Sequence, residues 1–277
     1  MKGAILTDRD PPIPYDEPRH PVGHTGRQSN PLIHRLAGCV LSQALLVAGV
    51  AAAGSPPTVD RSCTTPVDAD AMAQDFLAAR SLTLPGKLSI EEAECTRSAF
   101  VSALQARMGA PVGYKAGLTS EQVQQRFNAS SPVRGTLLRN MLLPAGSKVS
   151  AAFGFRPVFE ADLLVRIADS AVNTATTTAE VAAAIDRVIP FIELPDLAVS
   201  DPAALDRAAI TAINVGARLG VTGEPMAVGP AQPIDQLLRT MTVIVRSNGA
   251  VLDEGAGVDV LGDPLRAVLW VAADLAR

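Results

Sequence analysis

Histidine is almost absent from this sequence. Of the 277 residues, three are histidines, His20, His24 and His34, so the chain beyond residue 34 contains none. That part of the chain therefore holds neither a Ser-His-Asp nor a Cys-His nucleophile system, and no zinc or non-haem iron bound through imidazole. Acid–base chemistry there has to use carboxylates, Lys115 or Tyr114. A metal would be held by oxygen ligands, which favour Mg²⁺, Mn²⁺ or Ca²⁺.

Charged residues are also scarce. They make up 19% of the chain against 48% hydrophobic residues, which predicts a packed core and excludes global disorder. The 24 basic and 28 acidic residues leave a net charge of -4, so there is no basic surplus of the kind that nucleic-acid binding needs. The length allows one large domain or two small ones.

The longest stretch without charge, residues 36–59, resembles a secretory signal. A basic residue, Arg35, precedes an apolar core, which small residues follow. The core is short for a membrane span. We therefore predict a disordered leader over 1–35, a signal-type segment over 36–55, export to the periplasm or medium, and no membrane segment after signal removal. A cytoplasmic location, an uncleaved anchor or a buried helix are the alternatives. Cleavage would leave Cys63 and Cys95, either as a disulfide or as two free thiols.

Periodicity organises the rest of the chain into helices and strands. Apolar residues at helical spacing predict helices over 68–80 and 90–108, the second with a capping box of Ser89 and Glu92. A Val/Ile strand over 242–246 precedes a hairpin-type turn, Asn248-Gly249. Asp263-Pro264 announces a last helix, whose apolar side is predicted to carry five residues: Leu265, Val268, Leu269, Ala272 and Leu275.

Two carboxylates share one face of a predicted strand, residues 158–167. Alternation gives that strand one wholly apolar face, which begins at Phe159 and is predicted to face the core. Glu160 and Asp162 lie on the other face, with Cα atoms about 6.6 Å apart. Like charges this close repel unless a cation lies between them or one is protonated. A solvated outer face is the alternative.

Two further segments carry polar groups in apolar or glycine-rich surroundings. Glu193 lies in the strand-like run Val188–Asp196, where a buried carboxylate would require a metal, an Arg or a Lys, unless the strand ends at the surface. Lys115 lies between glycines in Gly113–Thr119, and glycines allow a ligand to approach the backbone closely. Thr119 and Gln122 are predicted to form a capping box for a short helix.

Six short stretches, taken in order, resemble the 2-oxopent-4-enoate hydratase and 4-oxalocrotonate decarboxylase group of the fumarylacetoacetate hydrolase superfamily. The resemblance covers about residues 70–277. The stretches are Gly113-Tyr114-Lys115-Ala116-Gly117-Leu118-Thr119, Gly135-Thr136-Leu137-Leu138, Phe159-Glu160-Ala161-Asp162, Pro190-Phe191-Ile192-Glu193, Asn214-Val215-Gly216 and Leu261-Gly262-Asp263-Pro264-Leu265.

The resemblance implies a metal site and a proton-transfer residue. Glu160, Asp162 and Glu193 match the family's metal ligands, for Mg²⁺ or Mn²⁺, and Lys115 matches the lysine assigned to proton transfer. Substrate binding is predicted for four residues: Gly117, Leu118, Thr119 and Arg134.

The resemblance also implies an activity and a fold. The activity is that of a metal-dependent lyase, a hydratase of a small 2-oxo or 2-hydroxydienoic acid such as 2-hydroxypenta-2,4-dienoate. The alternatives are a 4-oxalocrotonate-type decarboxylase, a C–C hydrolase of the superfamily, or a truncated, non-catalytic exported homologue. The fold class is α+β. A catalytic domain over 67–277 would have a helical cap (67–110) and a mixed, mostly β roll (111–277), C-terminally truncated, in a homo-oligomer.

Overall fold

A computed structural model describes residues 3–4, 45–48, 63–229 and 233–277. The helices are α1 (Ala69–Leu77), α2 (Ile90–Met108), α3 (Glu121–Arg126), α4 (Thr178–Ala183), α5 (Arg207–Ala212), α6 (Ile234–Thr240) and α7 (Pro264–Leu275). The strands are β1 (Gly3–Ala4), β2 (Leu45–Ala48), β3 (Pro111–Gly117), β4 (Val133–Leu138), β5 (Leu142–Leu143), β6 (Glu160–Ile167), β7 (Ile185–Leu194), β8 (Leu219–Thr222), β9 (Met226–Ala227), β10 (Thr242–Ser247) and β11 (Ala250–Ala256).

Nine of these strands form one mixed sheet, and β10 and β11 form a separate hairpin. At the centre, β6 pairs antiparallel with β7, and β3 pairs antiparallel with β4. The backbone of β2 pairs with both β3 and β6, antiparallel to the first and parallel to the second, and β1 takes the same two partners. The fold is therefore a mixture of helices and sheet, as predicted.

The two N-terminal helices begin where the sequence predicts. Asp68 caps α1, and Ser89 and Glu92 form the predicted capping box at the start of α2. The aromatic rings of Phe76 and Phe100 meet edge to face with centroids 5.5 Å apart. This contact joins the buried sides of α1 and α2.

The C-terminal elements also follow the predicted pattern. Asn248 and Gly249 both take positive φ values, 49° and 84°, as a hairpin turn of this type requires. Asp263 caps α7, whose first residue is Pro264. One residue assigned to the apolar side of this helix, Leu275, is 38% exposed because it lies in the final turn.

Apolar side chains cover both faces of the central sheet. One face packs against α7 in a cluster that we call the rear core, which includes Ala116, Leu163, Val165, Ile167, Leu265, Val268 and Val271. The opposite face packs in a second cluster that we call the front core, which includes Phe100, Leu104, Leu164, Ile189, Phe191 and Val215. Strand β6 is therefore buried on both sides.

Three expectations from local pattern are wrong. Phe159 is 36% exposed, because β6 begins one residue later, at Glu160. The face that carries the carboxylates is buried and not solvated, since the front core covers it. Ser120, and not Thr119, caps α3, because its side chain accepts the hydrogen bond from the Val123 amide.

The predicted leader (1–35) and signal-type segment (36–55) lie outside the described residues, apart from the backbones of β1 and β2. Cys63 and Cys95 are joined as a disulfide, the first of the two alternatives for this pair. Within the ranges described above, no helix combines the length and apolarity needed to cross a membrane. The boundary between 67–110 and 111–277 stays a prediction.

Candidate active site

The pairing of β6 with β7 brings two carboxylates face to face. Glu160 and Glu193 are directly opposite partners in this antiparallel register. Glu160 is 9% exposed and Glu193 is 1% exposed. Like charges at opposite positions of a strand pair are destabilising. The sequence therefore places two acids where packing alone would disfavour them.

Asp162 adds a third carboxylate to the same sheet face. It lies two residues after Glu160 on β6, and side chains two residues apart on a strand share a face. Asp162 is 3% exposed. One oxygen from each of Glu160, Asp162 and Glu193 lies within 4.8 Å of the others. We call these three residues the carboxylate centre.

Lys115 reaches the carboxylate centre from β3. Its side chain is fully buried, and its Nζ donates a hydrogen bond to Glu193 Oε1 in an ion pair. Lysine is rarely buried to this extent without a charged partner. The pair therefore explains how the ammonium group is tolerated in the front core.

The donor set of the carboxylate centre fits a divalent cation. Three carboxylates converge at one point, and the ammonium of Lys115 pairs with one of them. Buried charges are stable when they are paired or when they coordinate a metal. Carboxylate oxygens are the ligands that Mg²⁺ and Mn²⁺ prefer. Glu160, Asp162 and Glu193 could hold such an ion, with Lys115 beside it.

Three of the predicted substrate-binding residues follow Lys115 along the chain. Gly117 ends β3, and Leu118, which is buried, takes a positive φ of 58°. Thr119 is fully buried, and its Oγ1 has no hydrogen-bond partner within the ranges that the structure describes. The Thr119 hydroxyl is therefore available to a ligand.

The fourth predicted substrate-binding residue, Arg134, lies on the other side of the sheet. It pairs across the strands with Ala116, whose side chain packs in the rear core. Arg134 Nε donates a hydrogen bond to Asp274 at 2.6 Å, and the guanidinium lies 5.6 Å from the ring centre of Tyr114. The structure thus does not bring Arg134 to the carboxylate centre.

Burial affects the pKa of a second arginine, Arg97, which lies on α2 next to Arg134. Burial and the nearby charge of Arg134 lower the pKa of Arg97 to about 10. The Arg97 side chain donates to the backbone carbonyl of Arg134 and to Glu94. Arg97 therefore ties α2 to β4 at the position of Arg134.

Asp196 is another buried acid, outside the carboxylate centre. It was not singled out from the sequence. Asp196 accepts hydrogen bonds from the amides of Phe155, at 3.0 Å, and Arg156, at 2.7 Å. Arg218 Nη1 lies 3.3 Å from Asp196 Oδ2, and the guanidinium lies 4.3 Å from the ring centre of Phe76. Burial lowers the pKa of Arg218, and Asp196 opposes that shift.

Asn214 is a further buried residue whose role the sequence did not reveal. Its side-chain Oδ1 accepts from the amide of Thr136 at 2.7 Å, and its Nδ2 donates to the carbonyl of Thr136 at 2.8 Å. The signal available was its place in the stretch Asn214-Val215-Gly216, with no indication of what the side chain contacts.

Comparison with curated proteins places these features in a known group. The chain is 31% identical over 165 residues to 2-hydroxypent-2,4-dienoate hydratase of Pseudomonas putida, covering 59% of this chain and 72% of that protein. This match decides the family. The chain belongs to the 2-oxopent-4-enoate hydratase and 4-oxalocrotonate decarboxylase group of the fumarylacetoacetate hydrolase superfamily. It matches no protein-family model.

The chain also matches relatives in this group that are named as decarboxylases. The chain is 33% identical over 166 residues to 4-oxalocrotonate decarboxylase of Pseudomonas putida, covering 60% of this chain. It spans 61% of the length of that decarboxylase and 64% of a second one. The family is therefore established for a chain that matches about three fifths of these relatives.

The fold of the family is also found in a solved structure. That structure, 4-oxalocrotonate decarboxylase from Pseudomonas putida G7 complexed with magnesium and adipate, superposes with a TM-score of 0.64. The sequences are 25% identical, and the superposition covers 77% of this chain and 83% of the other.

Proposed function

We propose that this protein is a metal-dependent lyase that hydrates a small 2-hydroxydienoic acid such as 2-hydroxypenta-2,4-dienoate. The observation that carries the proposal is the carboxylate centre, with three buried acids within 4.8 Å and a buried lysine paired to one of them. The named activities of the hydratase and decarboxylase relatives support it.

Glu160, Asp162 and Glu193 would hold Mg²⁺ or Mn²⁺. Magnesium bound in the related decarboxylase structure supports this assignment. When bound, the metal supplies Lewis acidity to the 2-oxo group of the substrate. The carboxylates thus have a binding role and leave proton transfer to another group.

Lys115 is the group we assign to proton transfer. Its Nζ contacts Glu193, so the lysine lies at the edge of the ligand set. Hydration of the dienoate moves the 2-hydroxyl proton to a carbon of the chain and adds the H and OH of one water across the remaining double bond. As an ammonium, Lys115 Nζ would first deliver a proton to carbon and then take up the proton that leaves the 2-hydroxyl. The side chain is fully buried, so Nζ does not face bulk solvent.

Thr119 and the Gly117-Leu118 turn would bind the substrate beside Lys115. The Thr119 hydroxyl is buried and has no hydrogen-bond partner within the described part of the chain. A buried hydroxyl without a partner costs free energy, which a substrate oxygen would recover. Arg134 remains in the predicted binding set, although it lies on the rear side of the sheet with Asp274.

Decarboxylation of a 4-oxalocrotonate-type acid is the second candidate reaction. The match to two decarboxylases, at 33% and 31% identity, favours its inclusion. Loss of CO₂ from a vinylogous 2-oxo acid and hydration of a dienoate both pass through a stabilised enolate. One site can therefore serve either reaction, and the products distinguish them.

Incubation with each acid and Mg²⁺ or Mn²⁺ tests the proposal. For a hydratase, 2-hydroxypenta-2,4-dienoate gains one water, seen by mass spectrometry, and turnover stops with a chelator. For a decarboxylase, the 4-oxalocrotonate-type acid releases CO₂. A protein that turns over neither acid, and whose Glu193→Gln variant binds metal as the wild type does, would contradict the proposal.

The finer features that the family suggests are part of the same proposal. The helical cap would comprise α1 and α2, supported by the contact between Phe76 and Phe100. The roll would comprise 111–277, in a homo-oligomer. Light scattering of the purified protein tests the assembly, with a monomer as the contradicting result.

We also propose that the protein is exported. The disulfide between Cys63 and Cys95 supports this, because such bonds persist in oxidising compartments. Cell fractionation with intact-mass analysis tests this. Exported protein should be oxidised and should lack residues 1–55. Full-length, reduced protein in the cytoplasm would contradict it.

A further inference from the structure

Three consecutive left-handed residues form a turn against β3 and β4, beside Gly117 and Gly135. Asn214, Val215 and Gly216 have φ values of 55°, 56° and 66°. Glycine adopts this conformation freely, and asparagine adopts it more readily than most residues, but a β-branched residue with positive φ is an outlier. Strained residues of this kind persist only when their surroundings enforce them, and they cluster at functional sites.

Hydrogen bonds and burial hold this turn in place. The side chain of Asn214 binds both the amide and the carbonyl of Thr136 on β4. Val215 is 6% exposed and belongs to the front core. The amide of Asp196 donates to the Gly216 carbonyl at 2.9 Å. The strained conformation of Val215 is thus fixed from both of its neighbours.

The turn touches the two backbone positions that flank Lys115 on its sheet face. Gly117 lies two residues after Lys115 on β3, and Gly135 is the cross-strand partner of Lys115 on β4. A Cβ on Gly117 would overlap Val215 Cγ1. A Cβ on Gly135 would lie 2.8 Å from the Asn214 carbonyl oxygen and 2.8 Å from Lys115 Cγ.

We propose that the Asn214-Val215 turn positions Lys115, with Val215 acting through Gly117 and the Asn214 carbonyl acting through Gly135. Both residues are positioning residues, because neither contacts the reacting atoms. The glycines allow the turn to lie against the strands, and the turn in return confines the stem of Lys115. The ammonium group is thereby held at Glu193.

This inference rests on the proposed function for its kinetic consequence, and its geometric consequence can be measured without turnover. Gly117→Ala introduces a methyl where Val215 Cγ1 lies, so we expect Lys115 to shift and kcat to fall about tenfold or more, in addition to any change in KM from the substrate contact at Gly117. Adding Val215→Ala removes Cγ1 and leaves Val133 Cγ2 at 3.3 Å and the Val215 Cβ at 3.8 Å from the new methyl, so a small shift of the Val133 side chain is enough to accommodate it. The double variant should recover kcat to within about threefold of the wild type.

Gly135→Ala provides the matched comparison. Its new methyl meets the backbone oxygen of Asn214, which no side-chain truncation removes, so Val215→Ala should not rescue it. Val181→Ala controls for loss of a core valine, since Val181 is fully buried in the rear core, away from Lys115. It should lower the melting temperature and leave kcat unchanged.

The independent readout is the NMR signal of Lys115 Cε in ¹³C-lysine-labelled protein. Lys2, Lys87 and Lys148 are the other lysines, so Lys115→Arg assigns the signal. We expect Gly117→Ala to shift it and the double variant to restore it, at unchanged metal affinity. If Gly117→Ala lowers only the melting temperature, or Val215→Ala fails to restore the signal, the positioning role is wrong. If no form turns over but the signal behaves as expected, the proposed function fails and the positioning role stands.

Discussion

Two sites in this protein bury carboxylates, and they differ in how the negative charge is compensated. At Asp196, one carboxylate receives two backbone amides and one guanidinium, so its charge is fully matched. At the carboxylate centre, three acids converge and Lys115 supplies one positive charge. A site whose charges are balanced by the chain itself stabilises the fold. A site where three carboxylates converge beside one lysine offers oxygen ligands at one point, which is the donor set a divalent cation uses.

The two sites also differ in which segments of the chain supply their residues. Asp196 binds Arg218 and the amides of Phe155 and Arg156, which joins the segment before β6 to the start of β8. The carboxylate centre instead uses two residues of β6 that are two positions apart, Glu160 and Asp162, and the residue of β7 that faces the first of them, Glu193. The first arrangement ties loops together, and the second presents oxygens to one point.

The largest expected effect of a single substitution is on turnover. Lys115→Met removes the proton-transfer group, so we expect kcat to fall about 10³-fold while metal affinity is retained or slightly increased. Steady-state kinetics and a Mn²⁺ titration measure the two quantities. Lys148→Met, at an exposed position, is the control and should change neither. If Lys115→Met kept full turnover, Lys115 would not be the proton-transfer group, and the carboxylate centre would not differ from the Asp196 site in this respect.

Loss of Arg218 should affect stability and not chemistry. Arg218→Met leaves Asp196 buried without its cation, which should lower the free energy of unfolding by about 3–5 kcal/mol. Urea denaturation measures this, and the metal affinity of the folded protein should not change. Arg80→Met, in an exposed pair with Asp75, should cost less than about 1 kcal/mol. A similar loss in both variants would contradict the structural role of Arg218.

A bound divalent ion should stabilise the fold through the carboxylate centre. At a free metal concentration of about 100 times Kd, mass action predicts about 2.7 kcal/mol of added stability. Thermal melts with and without Mg²⁺ measure it. Glu193→Gln should abolish the increment, whereas Arg218→Met should retain it. An equal increment in Glu193→Gln would place the ion elsewhere.

The smallest effect concerns a partly exposed pair near the end of β6, Arg166 and Asp186. The hydrogen bond from Arg166 lowers the pKa of Asp186, and the two side chains are 36% and 31% exposed. A carboxyl whose folded-state pKa is depressed adds stability above its unfolded value, and that stability disappears as pH falls through the folded value. Between about pH 5 and pH 2, Arg166→Gln should therefore lose about 0.5 kcal/mol less than the wild type. Equal losses in urea denaturation would exclude the pair as a contributor.

The sequence predicts the residues of the carboxylate centre but not their depth. Alternation places Glu160 and Asp162 together, and the family resemblance adds Glu193 and Lys115. Alternation also suggests a solvated face, because it describes one strand without its neighbours. In the fold, β6 lies between two cores, so a face with two carboxylates is buried.

Other features depend on tertiary contacts that no local pattern encodes. The pairing of Asp196 with Arg218 joins residues 22 positions apart without periodicity. The left-handed backbone of Val215 opposes its local preference and requires the contacts at Gly117 and Thr136. Caps and the hairpin turn, in contrast, are local, and Ser89, Asn248 and Asp263 were predicted from their neighbours alone.

Calorimetric titration with Mn²⁺ tests the central claim most directly. We expect one ion bound per chain in the wild type, no detectable binding in Glu160→Gln, Asp162→Asn or Glu193→Gln, and wild-type binding in the folded fraction of Asp196→Asn. Wild-type affinity in any variant of the carboxylate centre, or loss of binding in Asp196→Asn alone, would show that the three converging acids do not hold the metal.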